Sequence, residues 1–140
     1  MNLNGFAFTE PAGFRVEEET VGLRMPLAAK GPAPSFVVQS KPARAGAKLE
    51  ELTAETLAEL AQTVANMKNL MRGELTFDDG GTGSVLAFDF PTQTGQLRQY
   101  FVLRLHGGKL CSVALTLPSA SLNESNAAVY MKAIASLRPA

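Results

Sequence analysis

QLRQYFVLRLHGGKLCSVALTL, residues 96–117, decides the fold. Two long β-type runs meet there at Gly107-Gly108, where a two-residue hairpin turn requires positive φ. Side chains alternate across a strand, so Leu97, Gln99, Phe101, Leu103 and Leu105 share one face. Arg98, Tyr100, Val102, Arg104 and His106 take the other. Both faces of this hairpin are therefore partly apolar, and it belongs inside a sheet rather than at a solvated margin. No catalytic motif accompanies it, which points to a protein that works through a surface rather than through reactive groups.

Working outward, β patterns also cover Ser84 to Pro91, with Leu86, Phe88 and Phe90 on one face, and Glu74 to Asp78. Before them, Leu49, Leu52, Leu57, Leu60, Val64, Met67 and Met71 recur at helical spacing. Glu50, Glu51, Glu55 and Glu59 crowd the early, positive end of the helix dipole. The pattern predicts one long amphipathic helix from Lys48 to about Met71. The first third reads as strands at Leu3 to Phe8, Thr20 to Leu27 and Ser35 to Ser40, with turns at Pro11-Ala12-Gly13 and Lys30-Gly31-Pro32. At the other end, Ser121-Leu122-Asn123-Glu124 has capping-box spacing. Ala127, Met131, Ile134 and Leu137 form an apolar stripe that stops at Arg138-Pro139. The order β-β-β-α-β-β-β-β-α has no repeat and no strict βαβ alternation. It predicts a single α+β domain over residues 1–140: a twisted antiparallel sheet with one long helix and a C-terminal helix.

The 140 residues are enough for a core that needs no staples. Thirteen basic residues balance thirteen acidic ones, so no net field gathers nucleic acid or an anionic membrane, and neither is expected as a partner. The first residues, Met1-Asn2-Leu3-Asn4-Gly5, lack the charged start and apolar run of a signal peptide. Nothing later approaches a membrane span, so the expectation is a cytoplasmic protein that does not itself insert in a bilayer. The only cysteine, Cys111, falls within a strand with no basic residue close beside it. It reads as a buried structural thiol.

The candidate sites are few. Asp78-Asp79-Gly80-Gly81-Thr82-Gly83 has the carboxylates and glycines of a cation or phosphate loop, but no distal Glu, no Gly-Lys-Ser/Thr and no following helix. It reads as a wide hairpin turn. His106 abuts the Gly107-Gly108 turn without a second ligand or a nucleophile. Asp89 lies opposite Phe88 and Phe90, yet no second carboxylate or tyrosine is paired with it, which argues against a general base. Accordingly no enzyme activity, metal or cofactor is expected. Met25, Met67, Met71 and Met131 have the flexibility to line an adaptable groove, although helical spacing puts Met67 and Met131 in the core. Gln39 and Gln99 are polar residues on strands with apolar neighbours. Such an amide either sits at a solvated edge or faces a groove where it meets a bound segment.

Several strings in order, Phe6-Ala7-Phe8 with Pro11-Ala12-Gly13-Phe14, Pro34-Ser35-Phe36-Val37-Val38, Leu97-Arg98-Gln99-Tyr100-Phe101-Val102 and Leu137-Arg138-Pro139, resemble the DcrB-related family. That resemblance implies a PsbP-like α+β fold over nearly the whole chain. One branch of the family is the Eag chaperones of type VI secretion, cytoplasmic homodimers that hold the hydrophobic N-terminal transmembrane segments of effector toxins. The resemblance implies such a role here, with Arg98 and Gln99 matching an arginine-glutamine pair beside the client groove. It also places Val21, Val37 and Gln39 on neighbouring strands. Two positions depart from the pattern: Phe14 stands where tryptophan is frequent, and Glu55-Thr56 replaces a polar pair with glutamine. The alternative is a family member with an unknown ligand and no part in secretion.

Overall fold

The computed structural model describes residues 2–3, 6–7, 15–18, 22–24, 35–93, 95–118 and 124–139. Its elements are β1 (Asn2–Leu3), β2 (Phe6–Ala7), β3 (Arg15–Glu18), β4 (Gly22–Arg24), β5 (Ser35–Pro42), α1 (Leu49–Thr63), β6 (Lys68–Thr76), β7 (Thr82–Thr92), β8 (Gly95–His106), β9 (Lys109–Pro118), α2 (Glu124–Ala135) and β10 (Arg138–Pro139). Seven strands form one antiparallel sheet in the order β3-β4-β5-β9-β8-β7-β6. A small second sheet pairs β2 with β1 and β10. The predicted α+β class, antiparallel sheet and two helices are all present.

The hairpin of residues 96–117 forms the middle of the large sheet, in the register Leu97↔Pro118 to His106↔Lys109. Gly107 and Gly108 take φ of 58° and 74°, the positive pair that the tight turn demands. Period-two alternation then divides the core. On β9, Cys111, Val113, Leu115 and Leu117 are buried together with Val102 on β8 and Val38 on β5, against Tyr130, Ala133, Ile134 and Leu137 from α2 and the turn after it. The opposite face carries Leu103 and Leu110, packed against Leu52 of α1. The sheet thus lies between the two helices, and Cys111 is the buried structural thiol expected, pushed up to about 12 by burial.

The long helix is shorter than its apolar spacing predicts. It ends at Thr63: Val64 is already extended while its N–H still reaches the Leu60 carbonyl at 2.8 Å, and Asn66 turns the chain with φ 58°. Asparagine tolerates that left-handed conformation because its short polar side chain bonds locally. Met71, expected on the helix, instead lies in β6, which starts at Lys68 rather than Glu74 and ends at Thr76. Met131 is 37% exposed rather than core. On α2 the buried stripe runs Tyr130, Ala133, Ile134 and Leu137, one residue out of phase with Met131. Of the early strands, Leu3 to Phe8 and Thr20 to Leu27 are described only in shorter pieces, whereas Ser35 to Ser40 lies whole within β5. Residues 25–34, Met25 among them, and Ser121 to Asn123 of the expected capping box lie outside the described residues. The strand β10 occupies the stop signal Arg138-Pro139, because the backbone there pairs with β2.

The Asp78 to Gly83 segment is the hairpin turn expected of it. Gly80 adopts φ 86°, and the Phe77 N–H donates to the Gly81 carbonyl at 2.7 Å. The turn is also fastened to the end of α2. The Asp78 N–H donates to the Ala135 carbonyl at 2.9 Å. Arg104, buried on β8, donates to Asp79 Oδ2 at 2.7 Å and to the Leu137 carbonyl at 2.6 Å, with its guanidinium 4.6 Å from the Phe77 ring centre. The Arg104 hydrogen bonds, joined by the Gly81 N–H, hold the Asp79 carboxyl below its ordinary range.

Candidate partner-binding site

Cross-strand register places the candidate residues directly. Val37 on β5 pairs with Ala114, which pairs with Phe101, which pairs with Leu86. Gln39 heads a parallel row through Ser112, Leu103 and Ser84. Gln99 stands between Thr116 and Phe88 in the next row. Directly opposed residues share a face, so Val37, Gln39 and Gln99 all belong to the face that carries α1. Val21 lies outside the described residues.

This face is unevenly covered. Leu86, Phe88 and Leu103 on β7 and β8 are fully buried, whereas Val37, Ser112, Ala114, Thr116, Phe101 and Gln99 are only partly buried and Gln39 is exposed. Along β9 beyond the buried Leu110, the side chains toward this face are the short ones of Ser112, Ala114 and Thr116. They form a low strip between Val37 and Gln39 on one side and Phe101 and Gln99 on the other. The strip has a floor of small side chains, one methyl between two hydroxyl-bearing residues, and an amide on each flank. An amide offers both a donor and an acceptor to whatever backbone lies beside it. The strip escaped the sequence reading, although its signal is there: from Cys111 to Leu117 large and small side chains alternate strictly.

Arg98 lies on the opposite face from Gln99, as adjacent strand residues must. Its Nη1 donates to Asp89 Oδ1 at 3.2 Å, its Nε to the Tyr100 hydroxyl at 3.0 Å and its Nη2 to Met71 Sδ at 3.5 Å. Asn69, held at φ 54° beside an irregularity between β6 and β7, donates from Nδ2 to Asp89 Oδ2 at 2.8 Å. Burial works against the Arg98 charge, but the Tyr100 hydroxyl and the Asp89 carboxylate outweigh it and raise its pKa. The Arg98 and Asp89 side chains are 13% and 11% exposed. Asp89 therefore has each carboxylate oxygen taken by a neighbour, a geometry suited to an ion pair in a sheet and poorly suited to proton abstraction. Asn69 escaped the sequence reading because the local break that brings it to Asp89 leaves no periodic trace.

A cleft of about 210 Å³ opens where β5 leaves the sheet, lined by Lys41, Arg44, Leu52, Glu55, Glu59 and Leu110 among others. Arg44 spans its rim to Glu55 at 2.7 Å and Glu51 at 3.3 Å, so the rim charges are largely self-compensated. His106 is exposed at its hairpin tip. Among the described residues no group of His, Cys, Asp and Glu has the makings of a metal site, and no helix is long and apolar enough to cross a membrane.

No protein-family profile and no curated protein matches the chain. Among solved structures it is similar to PA94 of Pseudomonas aeruginosa, a protein of unknown function, with a TM-score of 0.69 and 16% identity over 96% of this chain and 87% of that one. It is also similar to CyanoP, the cyanobacterial PsbP of Synechocystis sp. PCC 6803, with a TM-score of 0.68 and 14% identity over 97% of this chain and 87% of that one. At such identities the likeness shows the fold, and the fold is PsbP-like.

Proposed function

We propose that the chain is a non-enzymatic chaperone or adaptor of the DcrB-related kind, which receives an apolar segment of a secreted effector on the strip between β5 and β8. The observation that carries this reading is the row of short side chains, Ser112, Ala114 and Thr116, left partly exposed on a sheet face where Leu86, Phe88 and Leu103 are fully buried. A transmembrane segment in water exposes apolar surface that drives aggregation, and covering it is worth roughly 25 cal/mol per Å². A floor of small side chains lets a helix or extended segment approach the sheet closely, and Gln39 and Gln99 on the flanks satisfy its polar groups. Arg98 contributes from the far face. With Asp89 and Asn69 it ties β6, β7 and β8 together and so fixes the strand that presents Gln99.

Capture of an effector with hydrophobic N-terminal segments tests the reading. Co-expressed with the chain, an effector bearing hydrophobic N-terminal segments is expected to stay in solution and co-purify. Ala114→Arg, which fills the strip, should abolish capture, and Gln99→Ala should weaken it. Met131→Arg, on exposed helix surface, should leave it unchanged. Equal capture by the parent and by Ala114→Arg would overturn the proposal.

A further inference from the structure

Met71 is the most exposed of the large apolar side chains described, at 60%, and its sulfur touches a charged group. Arg98 Nη2 donates to Met71 Sδ at 3.5 Å, reaching across β7 from β8 to the edge strand β6. An irregularity in β6 builds this contact. Continuing the register from the Lys68↔Asp89 pair would set Leu70 opposite Ala87. One extra residue between Lys68 and Met71 puts Met71 there instead, in the row of Ala87 and Tyr100 and on the face that carries Arg98. Arg98 is itself held in place. Its Nη1 donates to Asp89, its Nε donates to the Tyr100 hydroxyl, and its guanidinium lies 5.1 Å from the Tyr100 ring centre. Nη2 is left with a thioether, the weakest acceptor of the three.

We propose that Met71 is an oxidation site for peroxides and that Arg98 captures its sulfoxide, so that oxidation fastens the edge strand β6 to β8. A lone pair of the Met71 sulfur attacks one oxygen of hydrogen peroxide, and the S–O bond forms as the O–O bond breaks. The departing hydroxide takes the proton of the transferred oxygen and leaves as water. Sulfur gives up two electrons and the peroxide is reduced. The new oxygen carries the negative end of the S–O dipole and accepts from Arg98 Nη2. A weak N–H···S contact thereby becomes a hydrogen bond assisted by the guanidinium charge. In a core, a sulfoxide disrupts packing because it sets a polar group among apolar ones. Met71 stands exposed at a sheet edge with a donor already against its sulfur, so the sign reverses and the oxidised strand is held more firmly than the reduced one. Neither of the other described methionines combines these features. Met67 is half-buried, and Met131, 37% exposed on α2, has no guanidinium against its sulfur among the described residues. The inference stands on β6 and β8 alone and does not depend on the client proposed above.

Treatment with hydrogen peroxide, followed by peptide mass spectrometry and thermal unfolding, tests it. Met71 should gain one oxygen severalfold faster than Met131. At the stage where Met71 has reacted and Met131 has not, the protein should melt about 2–4 °C above its untreated form. Methionine sulfoxide reductase should return it to the starting temperature. Met71→Leu, given the same treatment, should show no gain. In Arg98→Leu, compared only with its own untreated form so that loss of the Asp89 pair cancels, the gain should vanish. Met71→Gln needs no oxidant and does not depend on Arg98→Leu folding. Its amide oxygen takes the place of the sulfoxide oxygen, and it should melt above the untreated parent. Oxidation of Met131 as fast as Met71, an unchanged or lower melting temperature once Met71 has reacted, an equal gain in Met71→Leu or Arg98→Leu, or a Met71→Gln protein that melts below the parent would each overturn the proposal.

Discussion

Arg104 shows how one side chain fastens three parts of the chain. It reaches the β6–β7 turn through Asp79 and the end of α2 through the Leu137 carbonyl, and it covers the Phe77 ring. Arg104 was legible in the sequence only as one of the residues on the less apolar face of β8. The acidic turn was legible only as a turn, and nothing in the spacing joined the two, because their contact spans 25 positions. The sign of its pH dependence follows from the lowered pKa of Asp79. The ionised carboxyl favours the folded state, so its stabilisation is present above the ordinary carboxyl range of about 4 and is lost as pH falls through the lower folded value. Thermal denaturation of the parent and of Arg104→Met should show a stability gap near neutral pH that narrows below pH of about 4. It should not close, since the bond to Leu137 does not titrate.

Among the elements, the central hairpin was readable to its turn because its cues are local: alternation, β-branched and aromatic residues, and two glycines. The helices were less so. Apolar spacing carried α1 on to Met71, yet Asn66 and Asn69 at positive φ break the chain into turn and edge strand, and Leu70 and Met71 on that strand are exposed. On α2 the stripe read through Met131 is exposed there, and Tyr130 and Ala133 join Ile134 and Leu137 on the inward face. Their difference in burial sets an expectation. Ile134→Ala, fully buried against β9, should cost about 2–5 kcal/mol in denaturant unfolding, while Met131→Ala should fall within about 0.5 kcal/mol of the parent. Comparable losses at both positions would mean that α2 is rotated from the packing described.

Over the whole molecule, the sheet separates two tasks. The α2 face holds the larger core and the Arg98–Asp89 and Arg104–Asp79 ion pairs, and the α1 face is core at Leu86, Phe88 and Leu103 but a low, partly exposed strip on β9 and β5. The sequence showed that Gln39 and Gln99 were unusual on their strands, and the resemblance grouped them with Val37. Alternation already set Arg98 opposite Gln99, but only the cross-strand register reveals that Val37, Gln39 and Gln99 share a face, because register between distant strands is set by pairing and not by local pattern. The most direct measurement is side-chain NMR of the labelled protein titrated with a synthetic peptide of transmembrane composition. The Gln39 and Gln99 side-chain amides and the Val37 and Ala114 methyls should shift together, while the Val102 and Val113 methyls, buried under α2, stay in place. A peptide that binds but leaves Gln39, Gln99 and Ala114 unmoved, or no binding at all, would contradict the claim that this strip receives an apolar client.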